Sequence, residues 1–407
     1  MKKFIMLSAV MAAVSTAFVA CSSDDDLAQA PAVPEETVID TPKGTPFSLS
    51  VSAATRATLY NANAWDKTDG VPWVNEIKIF GKQESASDPW INNVVFKRET
   101  YDGDWVADRS GAATSVTELN WPVDNPSTPA VESEEATSFY AITDGAIGAG
   151  TTAAISGVSA WMSTVGTFSY ALPTTTDNIL WYNTNAYDLY NTVLNEYTYV
   201  TNTALTDLMV ASNETTETAN GALQLGFTHA LAGLTIKAMF VSDAEEGYSS
   251  VATVKSVMVC GLHGAGTYTF GATTPWATNT TVNYYYELPT PMDFAAEAEA
   301  GTHIPVEIVP AGTWLAIPQT VTAWNEKLPG TDTYPTEGAF IAVRIHDSYY
   351  DRDYIICFPL ATTLNAAKNR VITINIADGR DVFGGEDTDE GNNFAAHLYT
   401  PAQTAVL

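Results

Sequence analysis

Thr235-Ile236-Lys237-Ala238-Met239-Phe240-Val241 and Val371-Ile372-Thr373-Ile374-Asn375-Ile376 decide the fold, because in both the apolar residues recur at every second position or close to it. A period of two places successive side chains on opposite faces of an extended chain, the signature of a half-buried β-strand. The pattern repeats outward. Phe47-Ser48-Leu49-Ser50-Val51-Ser52-Ala53 alternates strictly, Ile77-Lys78-Ile79-Phe80 is a half-buried strand pattern, and Gly, Pro, Asn and Asp clusters punctuate the runs. Helical windows are short, namely Asp293 to Ala300 and Asp188 to Glu196, and neither carries a long stripe of period 3.6. The sequence therefore predicts an all-β chain. A sheet must bury one face against another layer, so many strands with loop-rich connections predict β-sandwiches. The polar stretch Ser212 to Thr218, between Leu208-Met209-Val210 and Leu223-Gln224-Leu225, marks the expected boundary between two of them. Each would be long enough to hold its own core.

Composition narrows the function. The 407 residues carry 18 Lys+Arg against 47 Asp+Glu, a net charge of −29, with 46% hydrophobic residues. Charged residues make up 16%, below the roughly 25% of ordinary soluble domains, so Thr, Ser, Asn and Gly supply the polarity. A chain this acidic repels phosphate backbones and forgoes counterion release, which excludes nucleic acid as a partner and disfavours anionic membrane surfaces.

The N-terminus reads as an address. Lys2 and Lys3 precede the apolar stretch Phe4 to Ala20, and Phe18-Val19-Ala20 leads into Cys21. That is a secretory signal, spanning residues 1–20. Its end resembles a bacterial lipobox, with Phe18 where such signals usually carry Leu; the resemblance implies lipidation of Cys21 and attachment to the outer membrane. Ser22-Ser23-Asp24-Asp25-Asp26 is similar to the acidic signal that sends lipoproteins of Bacteroidetes to the cell surface. Pro31, Pro34, Pro42 and Pro46, with Glu35, Glu36 and Asp40, make residues 21–46 a tether that cannot pack a core.

Catalytic and metal chemistry find little support. The five histidines, His229, His263, His303, His346 and His397, are dispersed, with no metal-ligand or nucleophile spacing. No phosphate loop and no Gly-x-Ser-x-Gly elbow occur. The acidic run Asp378 to Asn392 is either a solvated turn or a set of carboxylates for calcium, although it lacks the full calcium-loop pattern. No enzyme, no cofactor and no metal site are expected. Besides Cys21 only Cys260 and Cys357 occur, each inside an apolar run, as buried thiols or as a disulfide. The ten tryptophans are either core residues or, where two or three lie exposed and coplanar, a platform for glycans. A surface lipoprotein that binds glycans is the alternative function.

Several segments resemble the fimbrillin family, the FimA-like or Mfa-like pilus subunits of Bacteroidetes. They are Phe227-Thr228-His229-Ala230-Leu231-Ala232-Gly233-Leu234-Thr235-Ile236, Val254 to Leu262 followed by Gly266-Thr267-Tyr268, Trp314 to Thr320 with its Pro318-Gln319-Thr320, and Leu119-Asn120-Trp121-Pro122 ahead of Ser138-Phe139-Tyr140-Ala141. Their order, together with the lipoprotein start, carries the resemblance across nearly everything after residue 45. It implies two tandem transthyretin-like β-sandwiches over 57–215 and 216–391. It also implies a surface lipoprotein precursor cut by an arginine-specific protease, then polymerised with other pilin subunits by donor-strand exchange into an extracellular pilus serving adhesion. On that reading Phe47, Leu49, Val51 and Ala53 form one face of a removable strand within residues 47–56. Arg56, the first arginine of the chain, with Ala57 after it, is the processing site, or else a solvated arginine at a strand end. Residues 392–407 supply the donor strand through Phe394, Ala396, Leu398 and Val406, or else form the last native strand; Pro401 would cost such a strand one ladder hydrogen bond. Stalk, anchor and tip roles remain open, as does the surface ligand.

Overall fold

The computed structural model describes residues 46–53, 76–99, 103–108, 120–121, 135–144, 155–182, 192–200, 207–215, 222–241, 252–293, 305–324, 338–347, 352–377 and 398–399. In chain order the strands begin with β1 (Ser48–Ala53), β2 (Glu76–Gln83), β3 (Ile91–Lys97), β4 (Val106–Asp108), β5 (Thr137–Thr143), β6 (Val158–Ser159) and β7 (Thr167–Ala171). They continue with β8 (Thr174–Tyr182), β9 (Thr192–Val200), β10 (Met209–Thr215), β11 (Ala222–His229), β12 (Ala232–Val241), β13 (Ala252–Thr269) and β14 (Trp276–Asp293). The last are β15 (Val306–Ala316), β16 (Gln319–Val321), β17 (Ala339–Asp347), β18 (Arg352–Leu360), β19 (Thr362–Leu364), β20 (Asn369–Ala377) and β21 (Leu398–Tyr399). The chain is all-β: among the described residues there is no α-helix.

Three sheets carry the architecture. The first runs β1-β11-β10-β5-β2-β3-β4, the second β15-β12-β20-β21, and the third β18-β17-β13-β14-β9-β8, with β7 also paired to β13 and β6 to β7. A short β16-β19 ladder stands apart. The second and third sheets face each other across the largest core. Leu234 and Ile236 of β12, Trp314 of β15 and Ile372 and Ile374 of β20 meet Val257, Val259, Tyr284, Ile341, Val343 and Phe358 from the third sheet. Trp314 and Tyr284 stack edge to face with centroids 5.6 Å apart. Val95, Ile142 and Val210 from the first sheet join this core, while their neighbours Phe96, Ala141 and Ala211 point the other way into a second core. That is the period of two working on a sheet buried on both faces.

The two segments that opened the sequence reading are neighbours. Thr235 to Val241 lies parallel to Val371 to Ala377, with Thr235 opposite Val371 and Ile374 opposite Ala238. They are more deeply buried than half: β12 has β15 on its other side, and Thr235 is buried, sharing a side-chain hydrogen bond with Asn369. The Pro-Gln-Thr segment has a clear task. Where β13 slips register against β14, the Gln319 side chain accepts from the His263 N–H (2.8 Å) and donates to the His263 carbonyl (3.0 Å). A buried backbone amide and carbonyl left over by a bulge are thereby satisfied.

Two expectations need correction. Residues 192–196, read as helical, belong to β9, which pairs antiparallel with β8 from Thr192↔Tyr182 to Val200↔Thr174. Its Thr, Val and Tyr content suits a strand, and pairing overrides the weak helical pattern. Asp293, the start of the other helical window, ends β14. Strand pairings among the described residues run across position 215/216. β11 sits in the first sheet beside β10, and β6 to β9 sit in the third sheet with β13 and β14. All described residues fall within one compact unit, Lys43–Leu407.

Candidate functional site

The site is the seat of β1. Ser48 to Ala53 pairs in parallel with Ala222 to Phe227, residue for residue. On its other side β11 is backed by a shorter ladder among the described residues. Its ladder with β10 covers Met209↔His229 and Val210↔Thr228, beyond the stretch β1 holds, and the Asn213 side chain adds one donor to the Gln224 carbonyl at 2.7 Å. β1 is therefore the ladder partner of Ala222 to Phe227.

Alternation sets which side chains enter. Phe47, Leu49 and Val51 are half-buried while Ser48, Ser50 and Ser52 are exposed. β11 answers with Leu223, Leu225 and Phe227 buried and Gln224, Gly226 and Thr228 exposed. The inward residues of both strands pack on one core with Ile77, Ile79, Ile91, Phe96, Trp121 and Phe139. Phe47 is the anchor. Its ring lies 5.3 Å from those of Trp90 and Trp121, 5.7 Å from Phe96 and 6.1 Å from Phe139. Pro46 makes an isolated bridge to Asn120, so the strand enters between β11 and the Trp121 segment. The first sheet is curled: Phe47, just ahead of β1 at one edge, touches Phe96 of β3, near the other. Each of the three half-buried side chains stabilises the seat by about 1 kcal/mol or somewhat more, taking half the value of full burial.

At the far end of β11 the His229 Nδ1 lies 2.7 Å from the Asp207 carboxylate, both nearly buried. Burial pushes the Asp207 carboxyl up, and His229 pulls it partly back. The Ala230 N–H then donates to the Leu208 carbonyl, fixing the exit from the first sheet into β12.

Of the residues singled out from sequence, Phe47, Leu49 and Val51 share one face, and Ala53 closes the ladder opposite Phe227. Leu398 lies in β21, paired with Ile374 of β20. Cys21, Arg56, Ala57, Phe394, Ala396 and Val406 lie outside the described residues, as do Asp378 to Asn392. The receiving wall of Trp90, Phe96, Trp121 and Phe139 was not predicted as one site. Its signal was the alternation of Ala222 to His229, which matches that of Phe47 to Ala53. Cys260 and Cys357 form no disulfide. They stand on β13 and β18 with β17 between them, two strand spacings apart and beyond disulfide reach. The eight described tryptophans are all buried or half-buried, and no cluster of three or more His, Cys, Asp or Glu able to hold a metal occurs among the described residues.

Comparison with known proteins decides the family. A family model described as fimbrillin-like matches residues 129–388. The chain belongs to that family. It is thus a structural subunit of a cell-surface fimbrium, in a family of pilus components rather than enzymes. Among solved structures, a fimbrial protein from Bacteroides vulgatus is 10% identical, with 89% of this chain and 100% of that one covered and a TM-score of 0.41. The fimbrial anchor protein Mfa2 from Porphyromonas gingivalis is 11% identical, with 81% and 90% covered and a TM-score of 0.28. A fimbrial assembly protein from Parabacteroides distasonis is 10% identical, with 76% and 99% covered and a TM-score of 0.27. No curated protein sequence matches the chain.

Proposed function

We propose that this fimbrillin-like subunit is exported as a lipoprotein attached through Cys21 and polymerises by exchanging β1 for a strand of a neighbouring subunit. An arginine-specific protease cuts between Arg56 and Ala57. Arg56 follows the last residue of β1 by three positions, so the cut frees β1 together with the lipid anchor. The vacated seat then takes the C-terminal segment of another copy or of a related pilin, with Phe394, Ala396, Leu398 and Val406 as its inward residues. The polymer serves adhesion at the cell surface.

One observation carries this reading. β1 is an edge strand that supplies the ladder for Ala222 to Phe227, and Phe47 just ahead of it fills an aromatic pocket, while its apolar side chains are only half-buried. Its removal leaves unpaired N–H and C=O groups beside an apolar trough, a surface that another extended chain fills by β-addition. The uncharged exposed face of Ser48, Ser50 and Ser52 imposes no side-chain identity on the replacement.

The test is the intact mass and N-terminal sequence of material sheared from cells, beside a mildly heated gel of the wild type, Arg56→Ala and a chain lacking residues 394–407. The expected result is a start at Ala57 with a heat-labile ladder in the wild type and folded monomer in both variants. Normal polymer from Arg56→Ala would overturn the processing step, and normal polymer from the truncated chain would overturn the donor assignment.

A further inference from the structure

The third sheet has a second face that strand exchange does not use. Val257, Val259, Ile341 and Val343 point into the large core, while the alternating residues Met258, Cys260, Phe340 and Ala342 point outward beneath the β8-β9 hairpin. The sheet is rolled so that its two edges meet. Ile179 and Trp181 of β8 pack with Ile355 of β18, and Arg344 Nη1 donates to the Leu180 carbonyl at 3.0 Å. Trp181 and Tyr199 both stack edge to face on Tyr285, with centroids at 6.0 and 5.1 Å. This end of the roll is packed shut.

The other end is not closed by any described residue. A cavity of about 710 Å³ extends between the hairpin and the sheet, walled by Trp181, Tyr197, Met258, Cys260, Phe340 and Cys357. Small residues leave the room. Ala342 stands in register between Met258 and Cys357, so no large side chain fills the floor. At the corner, Gly261 and Gly338 both have positive φ (82° and 98°), and a Cβ on Gly261 would sit 2.4 Å from the Gly338 carbonyl oxygen. Only glycine permits that approach.

The lining has a definite chemistry. None of its residues is Asp, Glu, Lys or Arg, in a chain of net charge −29. Its floor is apolar and aromatic; Thr198, Thr281, Thr322 and Asn283 add uncharged polar groups, and the buried His263 Nδ1 has no hydrogen-bond partner among the described residues. Burial pushes the Cys260 thiol up, so it stays protonated and behaves as a small apolar group. Size, aromatic walls and a few uncharged polar groups are what small-molecule sites share. A charged ligand would lose its hydration here with no countercharge to replace it.

We propose that the open end of this rolled sheet is a binding site for a neutral, largely apolar small molecule with a hydrogen-bonding group at one end. The site lies on a different sheet from the β1 seat and does not depend on strand exchange.

The experiment titrates the full chain with N-phenyl-1-naphthylamine, a neutral aromatic probe, following its fluorescence and energy transfer from tryptophan. Thr281→Trp and Thr198→Trp add bulk to the lining from the adjacent strands β14 and β9. Both positions are exposed, so the variants should fold, which thermal unfolding verifies. The expected result is saturable binding by the wild type, weakened roughly ten-fold or more by either tryptophan, and unchanged by Phe47→Ala in the β1 seat. Absence of saturable binding, or binding that both tryptophans leave intact, would overturn the proposal. Binding lost in Phe47→Ala and retained in the tryptophan variants would assign the probe to the β1 seat and overturn it equally.

Discussion

Two parallel strand pairs in this molecule differ in how they are held. β12 runs beside β20 from Gly233↔Asn369 to Val241↔Ala377, has β15 on its other side, and presents Leu234, Ile236 and Ala238 fully buried. β1 runs beside β11 at the edge of its sheet, with every other residue exposed and its apolar residues only half-buried. The first pair cannot be opened without dismantling a core. The second is an edge strand that completes its sheet along one side only. The difference teaches that parallel pairing is not itself a mark of permanence: the number of ladders a strand serves and the depth of its side chains decide whether it can leave.

The most severe way to break this comparison is to strike the permanent pair. Trp314 of β15 is fully buried between β12 and Tyr284. Trp314→Ala should cost about 3–5 kcal/mol, enough to lower the denaturation midpoint sharply, with or without β1. Striking the separable pair should behave otherwise. Phe47→Ala removes a half-buried ring from Trp90, Trp121 and Phe139, and should cost about 2 kcal/mol in the uncut chain. The same substitution cannot alter a chain that begins at Ala57. Chemical denaturation of both forms checks this; equal losses from Phe47→Ala and Trp314→Ala in the uncut chain would show that β1 is core.

A pH experiment separates the two regions. Burial raises the hydroxyls of Tyr170 and Tyr284 in the large core well above the ordinary tyrosine range. Above pH ~10 the unfolded chain loses these protons while the folded chain keeps them. The folded state then binds more protons, so stability falls as pH rises, by about 1.4 kcal/mol per pH unit for each such tyrosine. Below pH ~10 the term is absent. Tyr284→Phe should remove one tyrosine's share of the slope in urea midpoints measured from pH 9 to 11.5. Among the described residues the buried β1 seat includes no tyrosine or cysteine, so release of β1, followed by a probe near Phe47, should show no matching slope.

How much of this was legible differs between the regions. The all-β class, β1 and the β12 and β20 strands follow from alternation alone, because a period of two survives in Phe47 to Ala53 and in Val371 to Ile376 whatever the partner. Partners do not follow. Nothing in Ala222 to His229 says that it belongs to the first sheet rather than to β12, from which Ala230 and Leu231 alone separate it. The polar run Ser212 to Thr218 carries no alternation that announces a strand, and its first part is nevertheless β10, whose Ser212 and Glu214 pair with Tyr140 and Ser138. Residues 192–196 misled for a related reason: Leu194, Asn195 and Glu196 are exposed, so pairing with β8 and not burial makes them strand. The rolled third sheet and its cavity leave no local trace, since Cys260, Ala342 and Cys357 come together only through register.

The smallest effect sharpens the comparison most. Gly226 lies in the middle of β11, opposite Ser52 of β1, with a Cβ meeting no atom within 4 Å. Glycine in a strand interior weakens it by roughly 0.5–1 kcal/mol relative to alanine, because its unfolded chain is freer. Gly226→Ala should therefore raise stability by that amount in the uncut chain, where β1 holds residue 226 extended. In a chain starting at Ala57 the gain should shrink, because β11 without its ladder partner is less firmly confined and the entropic difference is only partly realised. Thermal unfolding of the four proteins, cut and uncut, wild type and variant, forms a double-mutant cycle. A gain that is equal in both backgrounds would mean that β11 stays ordered without β1, and the need for a replacement strand would lose its physical basis.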